Sequence, residues 1–482
     1  MFCQLEMLRL CFRSRVRHFL NELPDSLDET YERILKGIHK TKRGHVQRLL
    51  RCLAVAFRPL YVEELAAILT FDPDAIEGEV PTLDVDSRSE DQEQELLSAC
   101  PGLITIVDDY GSRVVRFSHF SVKEFLTSDR LATLSQDISH YHILPEAAHT
   151  TLAQTSLGVL LRLDDRVNNL SARSIPLATY AANWWISHAR VGSVSSYITH
   201  TMKTLFDSDK PQFAAWLRLY DMDNYWARGD RGKPLYYSAL CGFYDLAEHL
   251  VKMHPQDVTA IGGTHDFPLV AALRRRHIRV AELLFQHGAD ISIRGRKEQV
   301  PLHMVVGWPS NSAVGAIQFL LEHHADVNAR DESNSTPLHL ASLFLGVKSM
   351  RILLDHGADV NAEDKLDRTP LHRVVVDNYD DKYRFRAAQA AQLLVDRGAD
   401  VNKPDKYHAT PLHLASRLVS LEVAWILLKG GADPNVEDGE GKIPFQLVQE
   451  ITRNEMDPFI YFPATRKRRA ECVALMGLLY GR

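Results

Sequence analysis

The chain has 482 residues, 45% of them hydrophobic and 24% charged, a balance that excludes a disordered or fibrous protein and calls for more than one hydrophobic core. Its apolar runs stop short of the ~20 residues needed to span a bilayer, and a formal net charge of -6 gives no whole-chain attraction for nucleic acid. Six scattered cysteines with no CxxC pair fit reduced thiols and a cytoplasmic location better than a disulfide or zinc framework.

The N-terminal half reads as helical with one hairpin. In residues 1–24, Leu5, Leu8, Phe12, Val16 and Phe19 recur at helical spacing with no preceding cap, as at the end of a larger module. An arginine face (Arg9, Arg13, Arg15, Arg17) makes a mitochondrial presequence the alternative. Residues 25–130 then form one domain. "PDSLDETYERILKGI" opens with Ser26 and Glu29 in capping-box spacing, followed by Leu27, Tyr31, Ile34 and Leu35 on one face. "HVQRLLRCLAVAF" and "YVEELAAIL" are two more helices, separated by the turn "RPL". The stretch 72–95 belongs to a run with ten acidic residues against one arginine and reads as a solvated loop. "LITIVD" and "VVRFSH" flank the turn "DYGS" as a hairpin, and a capping box at Ser121 and Glu124 is expected to start the next helix. Helices followed by a hairpin read as a winged helix, and His119 beside Ser121 as a helix start, not a nucleophile pair.

Residues 131–230 read as a helical connector whose aromatics (Tyr180, Trp184, Trp185, Trp216, Tyr220, Trp226) are core. Asp221 and Asp223 suggest a calcium loop, but Tyr225 and Trp226 stand where one needs an oxygen ligand and a glycine.

From 231 to 482 the sequence repeats, in about seven units with the last one capping. "PLH" recurs at Pro301, Pro337, Pro370 and Pro411, with weaker copies at Pro234, Pro268 and Pro444, so successive prolines lie 34, 33, 36, 33, 41 and 33 residues apart. "HGAD", "HHAD", "HGAD", "RGAD" and "GGAD" follow in phase from His287, His323, His356, Arg397 and Gly430. The period and both phrases resemble ankyrin repeats, stacked helix pairs that share one continuous core. Thr336, Thr369 and Thr410 are placed to cap the first helix, with proline at its first position. Gly357 closes the second helix, with Met350, Leu353 and Leu354 inward, and Asn361 and Asp364 serve the hairpin to the next unit. One histidine per repeat (His303, His339, His372, His413) suits a structural hydrogen bond between neighbours better than a metal array. The Pro301 and Pro370 repeats gain residues around "GWPSNSA" and "DNYDDKYRFRA", between the two helices of each, and their Trp308, Tyr379, Tyr383 and Phe385 either anchor a partner or cover the inserted turn.

In ankyrin proteins the variable recognition positions are the hairpin tip and the end of the first helix. Here these are Arg296, Lys297, Gln299 and Trp308; Glu332, Ser333, Ser335, Leu343 and Phe344; Lys365, Leu366, Arg368, Val376 and Asp377; and Lys406, Tyr407, Ala409, Arg417 and Leu418. Six are basic and two acidic, which implies a protein partner with an acidic, partly apolar surface. The run Arg466 to Arg469 reads as a solvated helix face or a nuclear localisation signal.

"FCQLEMLRLC", "ELPDSLDETYERIL", "RPLYVEELAAIL", "VVRFSHFSVKEFLTSDRL" and "IPLATYAANWWISHAR" together resemble the region that follows the NACHT domain in fungal NACHT-ankyrin proteins, which are STAND-type, NLR-like signalling NTPases. The resemblance implies a winged-helix lever, also named in a lipid-remodelling enzyme family, and makes residues 1–24 the C-terminal helix of a NACHT module. No GxxxxGK[ST] occurs; "GDRGKP" and "GEGKIP" lack the spacing and the magnesium-binding hydroxyl. With no GxSxG or HExxH, a non-enzymatic binding scaffold without cofactor is expected. The alternatives are the sensor half of a NACHT NTPase whose nucleotide-binding domain lies outside this chain, and a nuclear winged-helix DNA-associated regulator, against which the acidic stretch before the hairpin argues.

Overall fold

The computed structural model describes residues 26–69, 92–109, 111–164, 175–220, 231–308, 310–375, 381–418, 420–453 and 474. The expectations for residues 1–24, Asp221 to Trp226, Val376, Asp377, Tyr379 and Arg466 to Arg469 lie outside these residues. The chain divides into two compact units, Met1–Trp226 and Ala227–Arg482.

The first unit is helical with a small sheet. Ser26 caps the helix Leu27–Gly37 by accepting the Glu29 N–H at 3.2 Å, and Tyr31, Ile34 and Leu35 are buried as their spacing requires, while Leu27 is exposed. Between the helices Arg43–Val55 and Val62–Leu69 the chain bends at Arg58, as expected, and then enters a short strand, β1 (Leu60–Tyr61). With β2 (Ile104–Asp109) and β3 (Ser112–Phe117) it makes an antiparallel sheet of order β1-β3-β2, in which Leu60 pairs with Val115 and Ile106 with the same residue from the other side. Glu64 holds this corner, accepting the Tyr61 N–H at 2.9 Å and both Arg58 guanidinium nitrogens at 2.7 and 2.5 Å. Of the acidic stretch 72–95, residues 72–91 lie outside the described residues, and 92–95 are helix instead of loop, the first turn of Gln92–Ala99, where glutamates suit a helix N-terminus.

The helix after the wing is capped two residues earlier than expected. It runs Phe120–Leu126, and the His119 ring, not Ser121, accepts the Ser121 N–H at 3.3 Å. The Ser121 hydroxyl instead bridges His119 Nδ1 at 2.6 Å and Tyr31 Oη at 2.8 Å, tying the wing to the first helix. Beyond it the helices Pro145–Leu160 and Ala178–Ala189 pack on each other, with the former also against Arg43–Val55. Tyr180, Trp185 and Trp216 are fully buried there, and the Trp216 indole donates to the Ala182 carbonyl at 3.1 Å, so these aromatics are core. Trp184 and Tyr220 are half-buried.

The second unit is a stack of helix pairs, in which every first helix starts at an expected proline: Pro234–Cys241, Pro268–Arg274, Pro301–Val306, Pro337–Leu343, Pro370–Val374, Pro411–Arg417 and Pro444–Arg453. Each is too short to stand alone; Leu302, Leu338, Leu371 and Leu412 are fully buried against neighbouring repeats. Second helices stop at left-handed glycines, Gly357 at φ 85° and Gly398 at 86°, with His324 taking that place at 66° in "HHAD". Among the described residues most of the inserted ones are helical, Ser310 to Ala313 and Asp381 to Ala387. They lengthen the second helix to 13 residues in Ser310–Glu322 and 16 in Asp381–Asp396, against 9 in Val347–Asp355. Among the described residues no helix is long and apolar enough to cross a membrane.

Candidate functional site

The repeat tips form one surface because their backbones are joined in register. The Glu332 N–H donates to Lys297 O at 3.0 Å, Lys365 to Ser333 at 2.9 Å, Lys406 to Leu366 at 2.9 Å and Gly439 to Tyr407 at 2.8 Å. Under each tip lies a carboxylate, half-buried at Asp331 and buried at Asp364, Asp405 and Asp438. Oδ1 of Asp331, Asp364, Asp405 and Asp438 accepts the N–H groups two and four residues on, as in 2.8 and 3.1 Å from Leu366 and Arg368 to Asp364. Burial would raise the Asp364 pKa, but these amides and the Arg373 guanidinium outweigh it and hold the carboxyl below its usual range. One residue per regular tip, Asn334, Asp367, His408 or Gly441, takes the left-handed conformation that closes the turn.

The histidines bind each first helix to the next tip. Nδ1 of His339, His372 and His413 accepts the N–H of Thr336, Thr369 and Thr410 at 3.1 Å, which completes a capping box. Their Nε2–H groups donate to the carbonyls of Arg368 at 2.9 Å, Ala409 at 3.2 Å and Lys442 at 3.1 Å, and His303 reaches Ser335 at 3.0 Å. This is the inter-repeat bond expected of the "PLH" histidines. Burial pushes all four imidazoles down, His372 to about 4, against the pull of the carbonyl each one meets.

The expected recognition residues separate into two groups. Arg296, Arg368 and Arg417 face the buried carboxylates of Asp266, Asp405 and Asp438 at 3.2, 3.7 and 3.8 Å, so their charge is partly spent within the tips. Lys297, Lys365 and Lys406 are exposed and have no side-chain partner among the described residues. Tyr407 (59% exposed) and half-buried Leu366 follow Lys406 and Lys365 directly, and Leu343 (40% exposed) and Phe344 (55%) end the first helix of the Pro337 repeat. The Phe344 ring covers Gly307, where a Cβ would come within 2.7 Å of it. Tyr383 and Phe385 stand exposed on the extended helix Asp381–Asp396.

Trp308 is half-buried, with the Arg274 guanidinium 5.0 Å above its ring and His265 at its edge. With Arg296 and Lys297 it lines a cavity of about 290 Å³ that Asp266, Gln299 and Met304 complete. The arginine run Arg274 to Arg276 was missing from the recognition residues read in sequence. Its signal was present, three consecutive cations at the end of the first helix in the Pro268 repeat, a recognition position in a unit that lacks the "PLH" phrase. No group of His, Cys, Asp and Glu suited to a metal occurs among the described residues.

Comparison with known proteins agrees with both halves. Residues 31–137 match the family model "GPI inositol-deacylase, winged helix domain". Residues 302–385 and 394–448 match models of ankyrin repeats. The chain is 32% identical over 299 residues to azaphilone pigments biosynthesis cluster protein L of Monascus ruber, an alignment covering 57% of this chain and 61% of that protein. It is 36% identical over 77 residues to alpha-latrocrustotoxin-Lt1a of Latrodectus tredecimguttatus, covering 16% of this chain and 5% of the toxin. The chain thus spans less than two thirds of the length of either relative. The crystal structure of the ankyrin repeat domain of Bcl-3 aligns over 45% of this chain and 94% of its own length, with 25% identity and a TM-score of 0.39. The chain is thus a winged-helix domain of the GPI inositol-deacylase type joined to ankyrin repeats.

Proposed function

We propose that the chain is a protein-interaction scaffold whose repeat tips capture an acidic, partly apolar protein surface. The observation that carries this is the hydrogen-bonded row of tips from Lys297 to Gly439, presenting Lys297, Lys365 and Lys406 with no internal partner among the described residues, together with exposed Leu343, Phe344 and Tyr407. A rigid row of unspent cations with exposed apolar groups favours carboxylate-bearing partners and speeds their encounter. Arg296, Arg368 and Arg417 brace this surface from below, and Tyr383 and Phe385 extend it sideways.

In this reading residues 25–130 act as a lever and 131–230 as a connector, relaying capture to a STAND-type, NLR-like switch. The resemblance of "FCQLEMLRLC" and "VVRFSHFSVKEFLTSDRL" to NACHT-ankyrin proteins and the winged-helix match support it. The test is affinity capture with the full chain and a Lys297→Glu, Lys365→Glu, Lys406→Glu variant. Loss of the captured protein on charge reversal is expected; an unchanged capture contradicts the reading.

A further inference from the structure

The row of tips breaks at its N-terminal end, and the break is a built cavity. In the regular tips an aspartate anchors the turn, but the corresponding residues in the two preceding tips are Gly262 and Gly295, whose N–H groups close the same five-residue turns onto Asp266 O at 2.8 Å and Gln299 O at 2.9 Å. The Asp266 side chain of the neighbouring repeat supplies the bond between the two tips instead. Its Oδ2 accepts the Arg296 N–H at 3.0 Å, where the regular register has a backbone carbonyl, and Oδ1 faces Arg296 Nε at 3.2 Å. Gly295 is required by this exchange, because a Cβ there would meet Asp266 Oδ2 at 2.5 Å and the Met304 methyl at 2.6 Å. The tip closes through two consecutive left-handed residues, Lys297 at φ 59° and Glu298 at 54°, where each regular tip uses one. Such backbone is costly for non-glycine residues and is found where function holds it.

What the break leaves is the cavity of about 290 Å³ floored by Met304, Val270 and the Trp308 ring. That is at or below the small end of the roughly 300–1,000 Å³ range of small-molecule pockets, and suits one large side chain better than a whole ligand. Its charge is one-sided. Asp266 is already answered by Arg296, while the Lys297 side chain on the lining has no partner among the described residues, and exposed Arg275 and Arg276 follow directly after the Arg274 that covers Trp308.

The geometry points to this cavity as the anchor subsite of the interaction surface, taking one large apolar side chain from a partner segment whose flanking carboxylates meet Lys297 and the arginine run. The inference rests on the scaffold reading above and adds the place and the residue pattern.

The test is selection of phage-displayed random peptides on the full chain, followed by binding of the enriched peptides to variants. Enrichment of an aromatic or large aliphatic residue flanked by Asp or Glu is expected, with binding weakened roughly thirtyfold by Trp308→Ala, the weight of an interface hot spot. Lys297→Glu, an exposed change that leaves the fold intact, should weaken it roughly fivefold at low salt. Peptides that bind Trp308→Ala and Lys297→Glu unchanged but are lost on Lys365→Glu, Lys406→Glu would overturn the subsite while leaving the scaffold reading standing. Enrichment without carboxylates, or none at all, overturns the subsite; binding indifferent to all four changes overturns both.

Discussion

Four repeat tips, at Asp331, Asp364, Asp405 and Asp438, are built from one set of hydrogen bonds, whereas the two before them, at Gly262 and Gly295, keep the turn and lose the anchoring carboxylate. In the regular tips the aspartate answers the same two amides each time, so one repeat predicts the next. In the irregular pair Asp266 reaches across to the neighbouring tip, Val300 stands where a capping threonine is expected, and Nδ1 of His303 is left with no hydrogen-bond partner. A chain that keeps a rule four times and breaks it beside a cavity and an aromatic residue marks where specificity is placed.

The comparison can be broken most forcefully in the shared core. Leu338→Ala, at a fully buried site between repeats, should cost about 2 to 5 kcal/mol, and Leu302→Ala should cost a similar amount if the irregular repeat is equally well packed. Thermal melting checks both; no change at Leu338 would mean that the repeats do not stack in this register. Asp364→Ala removes the acceptor of two amides and strands Arg373, and should cost about 3 kcal/mol by urea titration.

Acidification tests the regular set through its histidines. His372 sits at about 4 because of burial, below the ~6.5 of an unfolded chain. Between those values the unfolded state binds more protons, so this contribution is complete above about pH 6.5 and is lost as pH falls toward 4. His339 and His413, shifted the same way, add to the slope, while Asp364, whose pKa is depressed, adds loss only below about pH 4. Melting temperature should therefore fall across that window, and less steeply in His372→Asn.

Two smaller changes sharpen the contrast. Gly295→Ala should destabilise by about 1 to 2 kcal/mol through the clash with Asp266 and Met304, whereas alanine at solvent-facing Gly44 should cost no more than a few tenths. Val300→Thr should stabilise by about 0.5 to 1 kcal/mol, because its hydroxyl would restore a capping box with His303 Nδ1. A gain no larger than that of Val300→Ser at the same site would sharpen the assignment to the hydroxyl.

The repeats were legible in sequence because their determinants are local: proline at the first helical position, threonine and histidine three residues apart, glycine at the helix end. What was not legible depends on distant or very short elements. β1 is two residues long, too few to show alternation, and exists only because β3 lies beside it. His119 caps a helix with a ring nitrogen, a role for which sequence rules look to Ser, Thr, Asp and Asn. The inserted residues "GWPSNSA" and "DNYDDKYRFRA" carry turn signals, yet stacking on the neighbouring repeat draws most of them into helix. The cavity needed Asp266, from one repeat, placed under Gly295 of the next, a contact that no period reveals.

Hydrogen–deuterium exchange of the full chain, with and without its captured partner, tests the interaction surface most directly. The account predicts slowed exchange confined to the tips, residues 296–299, 332–335, 365–368 and 406–409, where the exposed lysines and their backbone ladder lie. Protection of the second helices Val347–Asp355 and Leu421–Lys429, or of residues 27–137, with the tips unchanged would contradict it.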